Sequence, residues 1–84
     1  MRSEWLSLVA SVEWRSEYRG RERPVAITLG GLRVAVEVER TWIEGSTSAG
    51  QVSWRVFLVR DSEGRSFRIR ASEQTVLVEA SQAP

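Results

Sequence analysis

The sequence predicts an all-β protein, a small antiparallel barrel or strongly bent sheet of five to six strands, SH3-like or related in topology. Three observations lead there. Between Pro24 and Trp42, Val25, Ile27 and Leu29 alternate on one side of Gly30-Gly31, and Leu32, Val34, Val36 and Val38 alternate on the other. A two-residue Gly-Gly turn sets Leu29 opposite Leu32, Ile27 opposite Val34 and Val25 opposite Val36, so turn and register agree on one apolar face. The same period of two recurs from Leu6 to Trp14 and from Val52 to Leu58. The chain has 84 residues, enough for one domain but too few for a two-sheet sandwich of immunoglobulin size.

The first strand is read from Leu6, Leu8, Ala10, Val12 and Trp14, alternating with Ser7, Val9, Ser11, Glu13 and Arg15. A short helix capped by Ser3 and carrying Trp5, Leu6 and Val9 competes at its start, but the Ser and β-branched content beyond Ala10 opposes its extension. Arg15 to Arg23 is polar, contains Gly20 and ends at Pro24, a residue suited to a strand's first position because no ladder donor is needed there. After the central hairpin, residues 45–50 (Gly-Ser-Thr-Ser-Ala-Gly) read as a flexible loop. Val52, Trp54, Val56 and Leu58 form the next strand, and Asp61-Ser62-Glu63-Gly64 turns it back through Phe67, Ile69 and Ala71, with Gly64 supplying the positive φ. Ser72-Glu73-Gln74 leads to a last short strand, Thr75 to Glu79, and residues 1–4 and 80–84 are expected to fray. The expected interior combines the apolar alternates of these strands, Trp14, Trp42, Trp54, Val56, Leu58, Phe67, Ile69 and Leu77 among them. Each contributes roughly 1.5–3 kcal/mol when buried.

Composition narrows the function. There is no Cys and no His, which removes disulfide support, the commonest metal ligands and the side chains most used in nucleophilic and acid–base catalysis. A reducing cytoplasm, no cofactor, no metal and no enzymatic activity are the expectations. No apolar run approaches the roughly 20 residues of a membrane helix, and residues 1–13 do not have the pattern of a signal peptide. Basic and acidic residues number 12 and 11, too balanced for a field that would recruit a polyanion. All the basic residues are Arg, which fits either bidentate anion contacts or a GC-rich coding bias.

The residues that could carry chemistry read mostly as structure. Glu37 and Glu39 stand two apart on the outer face of the central hairpin, where Arg33 and other Arg on adjacent strands would make an ordinary charge ladder. Asp61, Glu63 and Gly64 lack the later bidentate Glu of a calcium loop. Gly30-Gly31 precedes no helix and so is no phosphate cradle. Of two Arg groups, Arg15, Arg19, Arg21 and Arg23 are interleaved with acids, whereas Arg55, Arg60, Arg65, Arg68 and Arg70, on the second hairpin, have few acids near them in sequence, and Arg55, Arg68 and Arg70 are expected on its outer face. These three, with Phe57 beside Arg55, form the candidate nucleic-acid surface, combining basic groups with an aromatic platform. Val9, Phe57, Val59 and Val76 fall opposite the expected core neighbours of their strands and form a candidate partner or homodimer surface.

From Arg23-Pro24-Val25-Ala26-Ile27 through Gly31, Val34, Val38 and Trp42, then Trp54-Arg55-Val56-Phe57-Leu58-Val59-Arg60-Asp61 and Gly64-Arg65-Ser66-Phe67, the chain resembles an uncharacterised bacterial family of small β-domains. Its members occur alone and at the C-terminal end of proteins similar to Y-family, translesion-type DNA polymerases. The likeness spans about Val12 to Glu79 and rests on strands, Trp and Gly. Where the family has an aromatic-rich segment after the central hairpin, this chain has Gly45 to Gly50. The resemblance implies an accessory or scaffolding role near DNA repair or lesion bypass, with no active-site residues to carry over. Two functions follow as expectations: a protein-interaction or homo-oligomerising module, and a module that binds single-stranded nucleic acid.

Overall fold

A computed structural model describes residues 5–17, 21–45 and 53–82. They form seven antiparallel strands: β1 (Trp5–Leu8), β2 (Ala10–Ser16), β3 (Glu22–Leu29), β4 (Leu32–Glu44), β5 (Trp54–Asp61), β6 (Ser66–Ala71) and β7 (Val76–Ser81). The order across the sheet is β1-β7-β6-β5-β4-β3-β2, and the sheet curls into a half-barrel. No helix occurs among the described residues, and none is long and apolar enough to cross a membrane.

The count is seven because the expected first strand breaks at Val9. Its first half pairs with β7, Leu8 opposite Val78, and its second half pairs with β3, Ala10 opposite Leu29. The two edges of the sheet order are therefore two halves of one extended segment. Strand β7 reaches Ser81, opposite Trp5, so Ala80 and Ser81 are held in the ladder rather than frayed. Residues 1–4, 46–52 and 83–84, with the expected loop, Val52 and the chain ends, and residues 18–20, with Arg19, lie outside the described residues.

The central hairpin has the expected register at its tip, Leu29 opposite Leu32 and Ile27 opposite Val34. Gly30 and Gly31 both adopt positive φ, 55° and 84°, the conformation of a type I′ turn, which suits the twist of the flanking strands. The ladder ends at Ala26 opposite Ala35. Two residues before Ala26 stands Pro24, which has no N–H to extend it. From Val36 onward β4 pairs instead with β5, Val36 opposite Asp61 through Glu44 opposite Trp54.

A bulge between Val38 and Arg40 resets the side-chain alternation of β4. Val36 and Val38 point inward, and beyond the bulge Thr41 and Ile43 share the inward parity while Arg40 and Trp42 face out. Trp42 is therefore on the outer face, not in the interior. The core is Ile27, Val36, Phe57, Val59, Phe67, Ile69 and Val78, with Leu8, Ala10, Val12, Trp14, Leu29, Val34, Val38 and Ala80 packed against it. Strand β5 thus turns Phe57 and Val59 inward, the reverse of the sequence expectation. Both faces of β5 are apolar, so alternation alone does not choose between them. The register does, because Phe57 opposes Ile69 and Val59 opposes Phe67. Trp54, Val56 and Leu58 accordingly line the outer face, as does Leu77, whose neighbour Val78 takes the interior position.

Candidate functional site

One end of the half-barrel is open. The ladder ends Ser16–Glu22, Glu44–Trp54 and Ala71–Val76 meet there. They border a cleft of about 400 Å³ lined by Trp14, Glu22, Ser53, Arg55, Phe57, Ala71, Ser72, Glu73 and Val76. Sequence pairing builds it. Ile43 opposes Arg55, Arg55 opposes Ala71 and Ala71 opposes Val76, so these four side chains form one row across four strands on the inner face. The shorter sheet of β2, β3 and the start of β4 does not cover this row. Ile43 is 66% exposed and Val76 43% exposed.

Below the row lies an aromatic floor. The Trp14 and Phe57 rings meet edge to face, centroids 5.6 Å apart and planes at 68°, the arrangement their quadrupoles prefer. The Arg55 guanidinium sits 5.5 Å from the Phe57 centroid and donates a 3.2 Å hydrogen bond to the Glu22 carbonyl oxygen, tying β5 to the start of β3. Ser72 shapes the rim: its hydroxyl accepts from the backbone N–H groups of Gln74 and Thr75, closing the β6–β7 turn. The cleft therefore offers apolar and aromatic area, one cation, two carboxylates and two hydroxyls.

Three of the residues singled out from sequence, Arg55, Phe57 and Val76, come together here. Phe57 is only 3% exposed and Val59 not at all; both are core residues, so neither can supply the outward platform or patch expected of them. Val9, 98% exposed, sits at the corner between β1 and β2, opposite in parity to inward-facing Leu8 and so on a different face from Val76. The four apolar residues do not form one patch. Sequence reading missed Trp14 and Ile43 as site residues. The turn Asp61 to Arg65 held the signal: pairing back across it places Val59 opposite Phe67 and thereby fixes the inner face of β5.

Arg68 and Arg70 are on the outer face, away from Arg55. Arg68 Nε donates to Glu79 at 2.6 Å, and an Arg70 Nη atom lies 3.6 Å from the same carboxylate. Their acid lies on the neighbouring strand rather than near in sequence: Arg68 directly opposes Glu79. Each also covers a tryptophan, Arg68 over Trp5 at 4.7 Å and Arg70 over Trp54 at 5.9 Å, and Arg40 lies over Trp42 at 5.4 Å. Stems and rings together seal Val56, which is fully buried although it faces outward. This face is a cladding of half-buried Trp and Arg, with its two central cations sharing one anion.

Most of the remaining carboxylates sit in turns and ladders. Glu37 and Glu39 line a shallow groove with Val36, Val38, Arg60 and Asp61; Glu39 pairs with Arg60 at 3.1 Å, and Arg33 pairs with Glu13 rather than with Glu37 or Glu39. That pairing and the nearby Arg15 hold the Glu13 carboxyl below its ordinary value. Asp61 closes the β5–β6 turn, accepting from the backbone N–H of Glu63 at 2.9 Å, that of Arg65 at 2.8 Å, and Arg65 Nε at 2.7 Å. Burial opposes its charge, but these donors outweigh burial and hold its carboxyl below the ordinary value. Among the described residues no group of three or more Asp or Glu is placed to hold a metal ion. No family model matches the chain, and no curated protein or solved structure matches it either.

Proposed function

We propose that the protein is a non-catalytic protein-interaction module that seats an extended segment of a partner in the open end of the barrel. The observation that carries this reading is the row Ile43, Arg55, Ala71 and Val76, exposed at all but Ala71, above the Trp14–Phe57 floor. Apolar groups set around an aromatic pair, with one Arg, make the kind of surface that dominates protein–protein contacts. The nucleic-acid reading is weaker on this geometry: Arg55 does not share a face with Arg68 and Arg70, Phe57 is inside, and Glu79 offsets one of the two outer charges. The resemblance to small domains beside translesion-type polymerases supports a partner among proteins of DNA repair or lesion bypass, and the lack of Cys supports a reducing, cytoplasmic setting.

Selection of random peptides displayed on phage against the whole protein tests the reading. Enriched peptides are expected to lose roughly tenfold or more in affinity on Val76→Glu, which puts a charge into the apolar row, and to be unaffected by Arg68→Ala with Arg70→Ala. Enrichment only of peptides indifferent to Val76→Glu overturns it.

A further inference from the structure

Strand β4 is 13 residues long, and its two halves are supported unequally. Residues 32–35 are flanked by β3, whereas residues 36–44 pair with β5 on one side and with no described strand on the other. The bulge at Glu39 interrupts that free edge, leaving Arg40-Thr41-Trp42-Ile43-Glu44 as its regular part. Arg40, Thr41, Ile43 and Glu44 are all exposed, and Arg40 has no carboxylate partner among the described residues.

These five residues are complementary to themselves read backwards. When two copies lie antiparallel about a two-fold axis through Trp42, Arg40 of each copy faces Glu44 of the other, Thr41 faces Ile43, and the two Trp42 residues oppose each other. Cross-strand opposite charges, β-branched neighbours and aromatic pairs are the contacts that stabilise antiparallel ladders. An axis perpendicular to the sheet keeps outer residues with outer and inner with inner, so Arg40, Trp42 and Glu44 meet their counterparts on one face. The single chain already holds them ready. The Trp42 indole N–H donates to Glu44 at 3.0 Å on one side, and Arg40 lies over the same ring on the other.

We infer that the free edge of β4 is a self-association site, at which a second copy of this chain pairs antiparallel through Arg40–Glu44 and joins two sheets into one. This goes beyond the partner cleft and stands without it. A five-residue edge falls below the roughly 1,200 Å² of a standard interface, so the dimer is weak and its population rises with concentration.

Sedimentation velocity of the full chain over a wide concentration range tests the inference. The expected result is a mass rising from one chain toward two. Arg40→Glu alone and Glu44→Arg alone should each weaken the dimer by roughly tenfold or more, since each sets like charges opposite one another, and the double reversal should restore it. All three variants change exposed side chains; unfolding midpoints close to that of the wild type verify the fold. A chain monomeric at every concentration overturns the inference. A dimer that survives the single reversals, or a double variant as monomeric as the singles, overturns it equally. Self-association unchanged by Val76→Glu separates this edge from the cleft.

Discussion

Phe57 lies between two roles at the residue scale, as the floor of the open end and as a member of the core. Its ring meets that of Trp14 edge to face and lies under Arg55, and its near-complete burial makes it first a packing residue. Phe57→Ala should therefore destabilise the fold by about 3–5 kcal/mol, seen as a lower urea midpoint, before any effect on binding can be measured. Val9→Ser, at an exposed corner, should leave the midpoint within about 0.5 kcal/mol. Asp61 makes a different contribution. Its carboxyl is held below the ordinary value, so the fold favours the charged form, and the resulting stability is present above the unfolded-state value and lost as pH falls through the folded-state one. Acid titration of urea stability should show this loss setting in below about pH 4. Asp61→Asn should be less stable at neutral pH, with a shallower acid limb.

Turns and bulges decide this fold at the scale of elements. The central hairpin was legible because alternating residues and a Gly-Gly turn specify the same register; replacing Gly31, at φ 84°, by Ala should cost about 1 kcal/mol through strain at positive φ. Later elements were less legible for definite reasons. The bulge at Glu39 carries no residue signature, yet it moves Trp42 outward and Ile43 onto the cleft side. Strand β5 is apolar on both faces, so its period identifies a strand without giving its orientation; only its pairing with β6 does. The break at Val9 also leaves no mark in the alternation, since Leu8 and Ala10 both pack toward the core. Long-range partners such as Glu79 for Arg68 are visible only once β6 and β7 are paired. The candidate site was thus partly legible: Arg55, Phe57 and Val76 stood out, but the row that unites them depends on three registers at once.

On the scale of the whole molecule, the half-barrel separates its surfaces by chemistry. The open end gathers Trp14, Phe57, Ile43, Val76 and Arg55; the outer face bears Trp5, Trp54 and the Arg68–Arg70–Glu79 cluster; the free edge of β4 carries Trp42. With basic and acidic residues nearly balanced over the chain and the two central outer cations sharing the Glu79 carboxylate, single-stranded DNA should bind weakly and without selectivity. Titration with labelled oligothymidine at two salt concentrations should give no saturable complex near physiological salt. Arg68→Ala with Arg70→Ala should lower stability rather than any DNA affinity, because it leaves the Glu79 carboxylate half-buried without its partners.

The four tryptophans divide among these surfaces and report on them separately. The most direct measurement is therefore an NMR titration of ¹⁵N-labelled protein, at one fixed concentration, following the four indole N–H signals assigned by single Trp→Phe variants as a cleft-selected peptide and then oligothymidine are added. The peptide should move the Trp14 signal and leave those of Trp5 and Trp54 in place, while oligothymidine should move none. A shift of Trp5 and Trp54 on adding DNA, with Trp14 unmoved by the peptide, would contradict the account and return the function to the outer Arg face.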